Sequence, residues 1–399
     1  MASTNTRVAV VGAGPAGLTV ANLLRRQGID CVLLEAESRA FIEGRPRAGF
    51  LEEWAVRALQ RHGLADRLVR QAERQGAFEF RVDGARHTFR YAELTGHHHF
   101  VYPQQELVTD LVGLFVDGGG DARFGVGDVR LHDLTSPRPS VSYTDPHTGE
   151  RHRVECDYVA GCDGARGVSN TYLPRDTTRV SRHDYGIGWL ALLAEAPPSS
   201  DGVVFGIHPR GFAAHMARSP QVTRFYLQCP AGDDPAAWPE ERVWQELQTR
   251  LAVPDGKITE GRLIEKRVLE MHNYVIEPMS YGRLYLAGES AHLVAPIAAK
   301  GMSLALHDAL LLAAALTSWY RDDDAPLAGY DGACLRRVWQ IQEFSQWLSE
   351  VLHGPSAELG PSPDPFRARA ARARLRRLLG SPTAAQAFAE LYIGKHTDF

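Results

Sequence analysis

The chain has 399 residues, enough for two or three domains, and apolar residues make up 44% of it and charged residues 23%. This composition is close to the average of globular proteins and excludes disordered, collagen-like and coiled-coil classes. The formal net charge of −4 lacks the basic excess that is typical of nucleic-acid-binding proteins, so we expect no nucleic-acid partner.

Neither the apolar segments nor the cysteines point to a membrane or an oxidising compartment. The longest uninterrupted apolar run, residues 309–316, has eight residues, whereas about 20 are needed to span a bilayer. The N-terminal residues lack the apolar region of a secretion signal, and the five cysteines are odd in number and widely spaced. We therefore expect a cytoplasmic protein with reduced thiols and no membrane partner.

The N-terminal segment has the pattern of a dinucleotide-binding βαβ unit. Residues 7–11 form a β-branched run of strand length, a glycine turn and a helical pattern follow, and a second apolar strand ends at Glu35. Gly12 permits the tight turn, Gly14 lets the backbone approach a pyrophosphate, and Gly17 lets helix and strand pack closely. Glu35 is placed to bind a ribose hydroxyl. The pattern predicts nucleotide binding but does not distinguish FAD from NAD.

Two later segments help to distinguish FAD from NAD as the bound nucleotide. Residues 157–162 form a predicted strand that leads into Asp163-Gly164, and residues 284–287 form another that leads into Gly288-Glu289 and a long helical pattern. In this order, the three segments resemble the signature segments of the single-component FAD-dependent aromatic hydroxylases. Further stretches look like those of the 4-hydroxybenzoate 3-monooxygenase group of this family, namely residues 44–49, 101–104, 188–190, 208–212, 275–279 and 334–339.

The resemblance implies a fold in three parts. These are an α/β FAD-binding domain with a Rossmann-like βαβ unit of the glutathione-reductase type, an inserted antiparallel-sheet substrate domain and a C-terminal helical region. We expect the discontinuous FAD-binding domain over residues 1–72, 101–179 and 268–320, the substrate-binding sheet over 73–100 and 180–267, and the helical region over 321–399. Residues 77–89 alternate around Asp83-Gly84, which predicts a hairpin within the sheet.

The family's chemistry implies a monooxygenase. Its cofactor is FAD, NADH or NADPH is a transient reductant, and reduced FAD adds O2 as a hydroperoxide that hydroxylates a small aromatic carboxylate. A flavin-dependent halogenase or reductase, and a non-catalytic flavin or aromatic-acid binding protein, are the alternatives on the same fold. The WxWxIP signature of halogenases is absent around Trp339.

The family's motifs also assign site residues. The cofactor-binding residues are Gly12, Gly14, Gly17, Glu35, Arg45, Gln104, Asp163, Glu289, Lys300, Gly301 and Met302. The nicotinamide docks on Arg166 and His272. The catalytic residues are Arg45, which helps to recruit nicotinamide, Pro296 beside the flavin, and Tyr392, the second tyrosine of a proton relay. The substrate-binding residues are Phe205, Met216, Arg218, Tyr226, Pro296 and Tyr392.

Two arginines in predicted strands are candidates for binding a carboxylate. Met216 and Arg218 share a strand face, as do Arg224 and Tyr226, because strand side chains repeat every second residue. From the residues alone, an ion pair with a core carboxylate and a clamp on a substrate carboxylate explain these arginines equally well. The resemblance assigns the substrate carboxylate to Arg218 and Tyr226.

Three positions of the ring site and its proton relay depart from the family, and one of them is Gln75, which stands where the relay has its outer histidine. Met216 stands where the family has a carboxylate-binding serine, and Phe205 stands where it has the tyrosine that contacts the phenol. Because phenylalanine cannot accept or pass a proton, we expect activation by phenol deprotonation to be altered. An aminobenzoate or amino-hydroxybenzoate therefore competes with a hydroxybenzoate as the expected substrate.

Three further features have simpler explanations. His97, His98 and His99 point apart on a strand, so we expect no metal site. The arginines between residues 367 and 377 predict a solvated or subunit-contact helix, with a homodimer as the expected assembly.

After Glu35, two glutamates accompany the lone Arg39 where NADPH-preferring members bind the 2′-phosphate, so NADH is expected to serve at least as well as NADPH.

Overall fold

The computed structural model describes residues 2–46, 49–358 and 364–395. The strands are β1 (Ala2–Asn5), β2 (Val8–Val11), β3 (Cys31–Glu35), β4 (Phe50–Glu52), β5 (Glu73–Gln75), β6 (Phe78–Val82), β7 (Ala85–Phe89), β8 (His99–Val101), β9 (Asp121–Phe124), β10 (Gly127–His132), β11 (Ser140–Thr144), β12 (Arg151–Glu155), β13 (Tyr158–Gly161), β14 (Arg179–Glu195), β15 (Val203–Ile207), β16 (Ala213–Ser219), β17 (Val222–Pro230), β18 (Arg262–Glu277), β19 (Ser280–Tyr281), β20 (Leu284–Leu286) and β21 (His292–Leu293). The α-helices are α1 (Pro15–Arg26), α2 (Arg39–Gly44), α3 (Glu53–Arg61), α4 (Asp66–Gln71), α5 (Tyr91–Thr95), α6 (Gln104–Val116), α7 (Glu240–Arg250), α8 (Gly301–Trp319), α9 (Ala325–Ala328), α10 (Tyr330–His353), α11 (Pro365–Gly380) and α12 (Pro382–Tyr392).

The cofactor-binding part is built on a six-stranded sheet. Strands β20, β13, β2, β3 and β9 run parallel in that order, and β19 is antiparallel at one edge. Strand β2 is buried along its length, and helix α1 packs against α6 and α8. A parallel sheet covered by helices requires such apolar runs, so the predicted βαβ unit, β2-α1-β3, is confirmed. Its carboxyl-terminal edge is where ligands of open α/β sheets bind.

The substrate part is an eight-stranded sheet in the order β21-β18-β14-β17-β16-β15-β6-β7. Strands β6 and β7 form the predicted hairpin around Asp83-Gly84. The sheet is antiparallel as expected except for one pair, because β15 and β6 run parallel. These two strands belong to distant segments, so no tight turn joins them and their direction is not constrained to alternate. Helix α7, which the sequence analysis did not predict, packs Trp244 and Leu247 against Phe225 on one face.

Some elements cross the expected domain boundaries, which stay predictions. Position 268 falls inside the unbroken strand β18, and β5 pairs with β8 in a separate three-stranded sheet, β4-β8-β5, rather than with the substrate sheet. Four further strands form a second small sheet, β1-β12-β11-β10. Long strands thus run from one part of the molecule into the other and hold the two parts together.

The C-terminal region is helical, as expected for residues 321–399, of which 359–363 and 396–399 lie outside the described residues. Ser381 caps helix α12 by accepting a hydrogen bond from the Ala384 amide at 3.4 Å, with Pro382 in the first position. Helix α8, with 19 residues, is long and apolar enough to cross a membrane by length and composition. Most of it is buried against α1 and α10, which is typical of a core helix.

Candidate active site

A cleft opens where β2 ends and α1 begins. Gly12 has a φ of +103°, and a Cβ there would lie 2.4 Å from the carbonyl oxygen of Cys162, so the turn requires glycine. A Cβ on Gly17 would lie 1.9 Å from the carbonyl oxygen of Gly12, which is the close helix–strand packing expected. A Cβ on Gly14 would meet no atom within 4 Å. The turn therefore presents bare backbone to the cleft at Gly14.

The donors and acceptors around this turn fit a pyrophosphate and a ribose. No side chain caps α1 at Gly14, which leaves amides of its first turn available to an anion. Glu35 accepts hydrogen bonds from the amides of Ala13 at 2.6 Å and Glu37 at 2.8 Å, so its carboxylate is held at the edge of the cleft. This arrangement fits the phosphate and ribose groups of FAD.

Segments that are distant in the sequence complete the same cleft. The lining of the cleft includes six further residues that are predicted to bind the cofactor, namely Arg45, Gln104, Asp163, Glu289, Gly301 and Met302. Asp163 Oδ2 accepts hydrogen bonds from the amides of Val168 at 2.7 Å and Ser169 at 2.9 Å. Its Oδ1 is buried with no hydrogen-bond partner among the described residues, and burial raises the pKa of the carboxyl. A hydroxyl of the cofactor would satisfy this oxygen.

The substrate sheet presents a second set of predicted residues on one face. Phe205 pairs with Ala214, which in turn pairs with Tyr226, across three neighbouring strands. Met216 and Arg218 follow Ala214 in steps of two residues along β16. Because paired residues and alternate residues point to the same side of a sheet, Phe205, Met216 and Tyr226 share this face. The register of β16 shifts at Arg218, but this guanidinium lies close enough to Arg224 and Tyr226 for their charges to act on it.

The opposing wall comes from the loop before α8 and from α12. The short helix Pro296–Ala298 supplies Ile297 and Ala298, and α12 supplies Tyr392, to the buried cluster that contains Phe205. Met216 and Tyr226 are partly buried against the same cluster. The Pro296 loop runs on to Gly301 and Met302 of the cofactor cleft, so this apolar cluster adjoins the cleft.

Positive side chains outnumber negative ones among the charged groups near Tyr226 on this sheet face. Glu265 bonds Arg224 at 3.1 Å and Arg267 at 2.7 Å. Arg218 is half-buried, and burial and the nearby Arg224 lower the pKa of its guanidinium. Burial raises the pKa of Tyr226, although Arg224 and Arg218 oppose the shift. Among the described residues, the charges that act on Tyr226 are thus three guanidinium groups and one carboxylate, an excess that favours an anionic ligand.

Comparison with known proteins shows which family the chain belongs to. The family model described as "FAD binding domain" matches residues 5–345. The chain is 34% identical over 398 residues to the p-hydroxybenzoate hydroxylase of Acinetobacter baylyi, and the alignment covers 99% of this chain and 96% of the relative. The chain belongs to the single-component FAD-dependent aromatic hydroxylases. The predicted family and fold class are therefore confirmed.

Other relatives of the hydroxylase agree with this placement. The 3-amino-4-hydroxybenzoate 2-monooxygenase of Streptomyces cremeus is 26% identical over 372 residues, which cover 89% of this chain and 90% of that relative. The structure of p-nitrophenol 4-monooxygenase PnpA from Pseudomonas putida DLL-E4 has the same fold, with a TM-score of 0.83, 19% identity and 100% coverage of both chains. The protein is thus an FAD-dependent monooxygenase with NAD(P)H as its reductant.

Lys300, which is predicted to bind the cofactor, has a buried side chain. Its side chain is 1% exposed and does not line the cleft. Its ammonium group bonds the carboxylate of Glu52 and the backbone carbonyl of Tyr392. The reason is electrostatic, because a buried ammonium needs a buried anion, and Glu52 supplies it. The Lys300 side chain therefore anchors the loop before α8, and a role of this residue in cofactor binding stays a prediction.

The predicted nicotinamide residues lie on different elements. Arg166 is exposed in the turn after Asp163, and His272 is half-buried on β18, opposite Asp184 on β14. Arg45 ends α2, and its guanidinium carbon lies 5.5 Å from the ring centre of Phe41. Arg47 and Ala48, which belong to the motif at residues 44–49, lie outside the described residues. Nicotinamide docking stays a prediction.

Sequence reasoning missed a buried ionic cluster next to Tyr392. Glu52 is 2% exposed and bonds Lys300, Arg337 at 3.1 Å and the indole nitrogen of Trp54 at 2.5 Å. Burial alone would raise the pKa of Glu52, but Lys300 and Arg337 lower it to about 2. No sequence motif predicts this cluster, because its members come from three remote segments, namely β4, the loop before α8, and α10.

The three consecutive histidines, His97, His98 and His99, were predicted not to form a metal site. In the structure their side chains differ in environment. His99 is buried, whereas His97 is half-exposed and lies 3.3 Å from Glu53. Elsewhere His307, Asp308 and Cys334 place potential ligand atoms within 4.8 Å of one another. Asp308 already bonds His292 at 2.5 Å and the Gly288 amide at 2.9 Å, so it has a structural role without an ion.

Proposed function

We propose that the hydroxylase acts on a small aromatic carboxylate whose ring carries an amino or hydroxyl group. The observation that carries the proposal is the half-buried Arg218 close to Tyr226, which shares its sheet face with Phe205. FAD, once reduced, supplies the electrophilic oxygen that such an electron-rich ring accepts. The protein's own task is to bind the ring, orient it and exclude water.

Arg218 and Tyr226 bind the carboxylate in this proposal. A guanidinium presents a planar pair of donors that match a carboxylate, and the Tyr226 hydroxyl adds a third donor. Because burial lowers the pKa of Arg218, an anion that replaces the lost hydration is favourable there. Arg224 forms an ion pair with Glu265, and in this proposal that pair stabilises the sheet and does not bind the substrate.

The other end of the ring contacts apolar side chains. Phe205 is 7% exposed and packs against Phe78 and Phe80, and Met216 borders the same cluster. Neither side chain takes a proton from a phenol. An amino group activates the ring without losing a proton, so an aminobenzoate or amino-hydroxybenzoate suits this end at least as well as a hydroxybenzoate. The relative named for 3-amino-4-hydroxybenzoate supports including such compounds.

The remaining predicted roles complete the proposal. Arg45 at the cleft helps to receive the nicotinamide, which Arg166 and His272 help to dock, and Pro296 shapes the boundary between the cleft and the ring. The oxygen atom comes from O2. A cytoplasmic location and a homodimer stay predictions from the sequence.

The test is a panel of acids with matched amides. Purified holoenzyme is mixed with NADH and 4-hydroxybenzoate, 4-aminobenzoate, 3-amino-4-hydroxybenzoate or benzoate, and NADH oxidation, O2 uptake and product mass are recorded. We expect faster NADH oxidation and a product one oxygen heavier with at least one activated acid, and neither with its amide. Failure of every activated acid, or an amide that equals its acid, would overturn the proposal.

A further inference from the structure

A stripe of buried polar side chains runs along helix α10, and the proposed chemistry has not used it. Its members recur in steps of three and four residues and are at most 4% exposed, namely Gln342, Ser345, Ser349 and His353. This spacing places them on one side of the helix, where a core helix normally has apolar residues. Buried polar groups need hydrogen-bond partners, so the partners of this polar stripe show which elements α10 is bonded to.

The polar stripe bonds α10 to the long strand β14 at two places. The Ser345 hydroxyl lies 3.2 Å from the Tyr185 hydroxyl. The ring of His353 accepts a hydrogen bond at Nε2 from the indole nitrogen of Trp189, at 2.9 Å. Tyr185 and Trp189 both belong to β14, so this face of the helix is fixed against one strand of the substrate sheet.

The hydrogen bonds of His353 determine which of its nitrogens carries the hydrogen. An indole nitrogen can only donate, so Nε2 of His353 accepts and Nδ1 carries the hydrogen. Nδ1 lies 3.0 Å from the backbone carbonyl oxygen of Ser349, to which it donates. Burial lowers the pKa of His353 to about 3, although the bond to Ser349 opposes the shift. The ring is therefore neutral near pH 7 and remains an acceptor for Trp189.

Trp189 connects this hydrogen bond to the proposed ring site. Its side chain is 3% exposed, stacks on Phe212 with 5.0 Å between the ring centroids, and contacts the ring of Tyr226 at 5.0 Å. Trp189 and Tyr226 share a sheet face, because Ala191, two residues after Trp189, pairs with Tyr226. A shift of the indole would therefore change the space that the Tyr226 ring occupies.

The bond to His353 fixes the indole in a way that ring stacking does not. Stacking on Phe212 tolerates rotation of the indole within its own plane, whereas a hydrogen bond from its nitrogen prevents it. Among the described residues, His353 is the only hydrogen-bond partner of this nitrogen. A buried donor without a partner costs about 1–3 kcal/mol, so an indole that lost this acceptor would gain by turning toward another polar atom.

We propose that His353 is a positioning residue for the aromatic acid. By accepting the indole hydrogen of Trp189, it fixes the ring against which Tyr226 packs and so orients the Tyr226 hydroxyl toward the substrate carboxylate. The proposal rests on the proposed function, which assigns that carboxylate to Arg218 and Tyr226. His353 touches neither substrate nor cofactor and transfers no proton. When Tyr226 is misplaced, the acid binds more weakly and its ring is less well oriented to receive oxygen.

The test measures binding and product yield in the holoenzyme with the activated acid that wild type uses best. His353→Leu removes the acceptor, and His353→Gln keeps a side-chain oxygen that can accept the indole hydrogen. We expect His353→Leu to raise the Kd of the acid about threefold to tenfold, as for the loss of one hydrogen bond, and to lower the product formed per NADH oxidised. His353→Gln should return both values toward those of wild type. A merely structural loss would reduce the amount of folded enzyme and move neither quantity.

A double variant tests whether His353 acts through Tyr226. In Tyr226→Phe the hydroxyl that His353 orients is already absent, so adding His353→Leu should raise the Kd little further. Additive increases in Kd would overturn the proposal. A His353→Leu enzyme with the Kd and the product ratio of wild type would also overturn it.

His215→Leu is the matched control. His215 is also a fully buried histidine of the substrate sheet, but it accepts a hydrogen bond from the Ser199 amide at 2.9 Å and contacts Phe225 on the opposite face. We expect its replacement to lower the Tm and to leave the Kd of the acid unchanged. An equal rise of Kd in His215→Leu would overturn the proposal for His353 alone. A wild-type enzyme that binds no activated acid would overturn the proposed function as well.

Discussion

At the level of single residues, the two arginines of the substrate sheet show what sequence can and cannot separate. Arg218 and Arg224 have equivalent local patterns, and both fit an ion pair or a substrate clamp. The structure gives Arg224 an ion pair with Glu265, which lies 41 residues later in the chain. A partner at such a separation is set by strand pairing, so local sequence gives no sign of it.

Arg218→Ala should weaken binding of the aromatic acid by about 2–5 kcal/mol, because it leaves the bound carboxylate buried without its cation. Tyr226→Phe should cost less, about 0.5–1.5 kcal/mol, since it removes one hydrogen bond. Dissociation constants from the change in flavin absorbance on titration with the acid measure both effects. An amide that binds wild type as tightly as the acid would contradict the carboxylate clamp.

Glu52→Gln should strongly destabilise the protein, by about 3–5 kcal/mol, because it leaves the buried cations of Lys300 and Arg337 without their anion. Since these cations lower the folded-state pKa of Glu52 from 4.5 to about 2, its contribution is full above about pH 4.5 and is lost as pH falls toward 2. Urea unfolding of the variant should therefore show a weaker decline of stability with acid than wild type. Parallel curves for the two proteins would refute the assignment.

At the level of elements, the sequence predicted the structures that form between neighbouring segments of the chain. The unit β2-α1-β3 and the β6-β7 hairpin were predicted from the sequence because each joins neighbours along the chain. Helix α7 was missed, although Trp244 and Leu247 lie on one of its faces at a spacing typical of an amphipathic helix. The parallel pairing of β15 with β6, and that of β5 with β8, depend on contacts between remote segments that no local pattern encodes.

Helix α2 belongs to the segment that we expect to set coenzyme preference. Arg39 is the cation available to a 2′-phosphate there, and its Nε is 2.8 Å from Glu43 Oε1 one turn later. Glu37 lines the cleft nearby. Because one arginine is offset by two carboxylates, NADH should be used at least as well as NADPH. The ratio of kcat/KM for the two coenzymes, at a saturating aromatic acid, measures this preference.

Glu43→Gln provides the comparison. It removes the carboxylate that holds Arg39 and should shift the kcat/KM ratio toward NADPH. Arg39→Gln should shift it toward NADH. A tenfold preference of wild type for NADPH would be incompatible with this interpretation of α2.

At the level of the whole molecule, the cofactor cleft connects remote segments. Glu35, Gln104, Asp163 and Glu289 reach the same cleft from four places in the chain. A ligand that contacts all of these segments binds the folded state and has no comparable site in the unfolded chain. FAD should therefore stabilise the entire fold by mass action, by about 2.7 kcal/mol at a free concentration one hundred times its Kd.

Removing FAD should lower the Tm, and two glycine variants can separate the cofactor's effect from that of the turn. A Cβ on Gly14 meets no atom within 4 Å, so Gly14→Val should fold with the Tm of the apoprotein but gain little when FAD is added, because its side chain occupies the cleft. A Cβ on Gly17 would lie 1.9 Å from the Gly12 carbonyl oxygen, so Gly17→Val should lower the Tm even without FAD. Thermal denaturation of the three apoproteins, with and without added FAD, gives all of these values. A Gly14→Val protein that gains as much from FAD as wild type would show that the cofactor does not approach this turn.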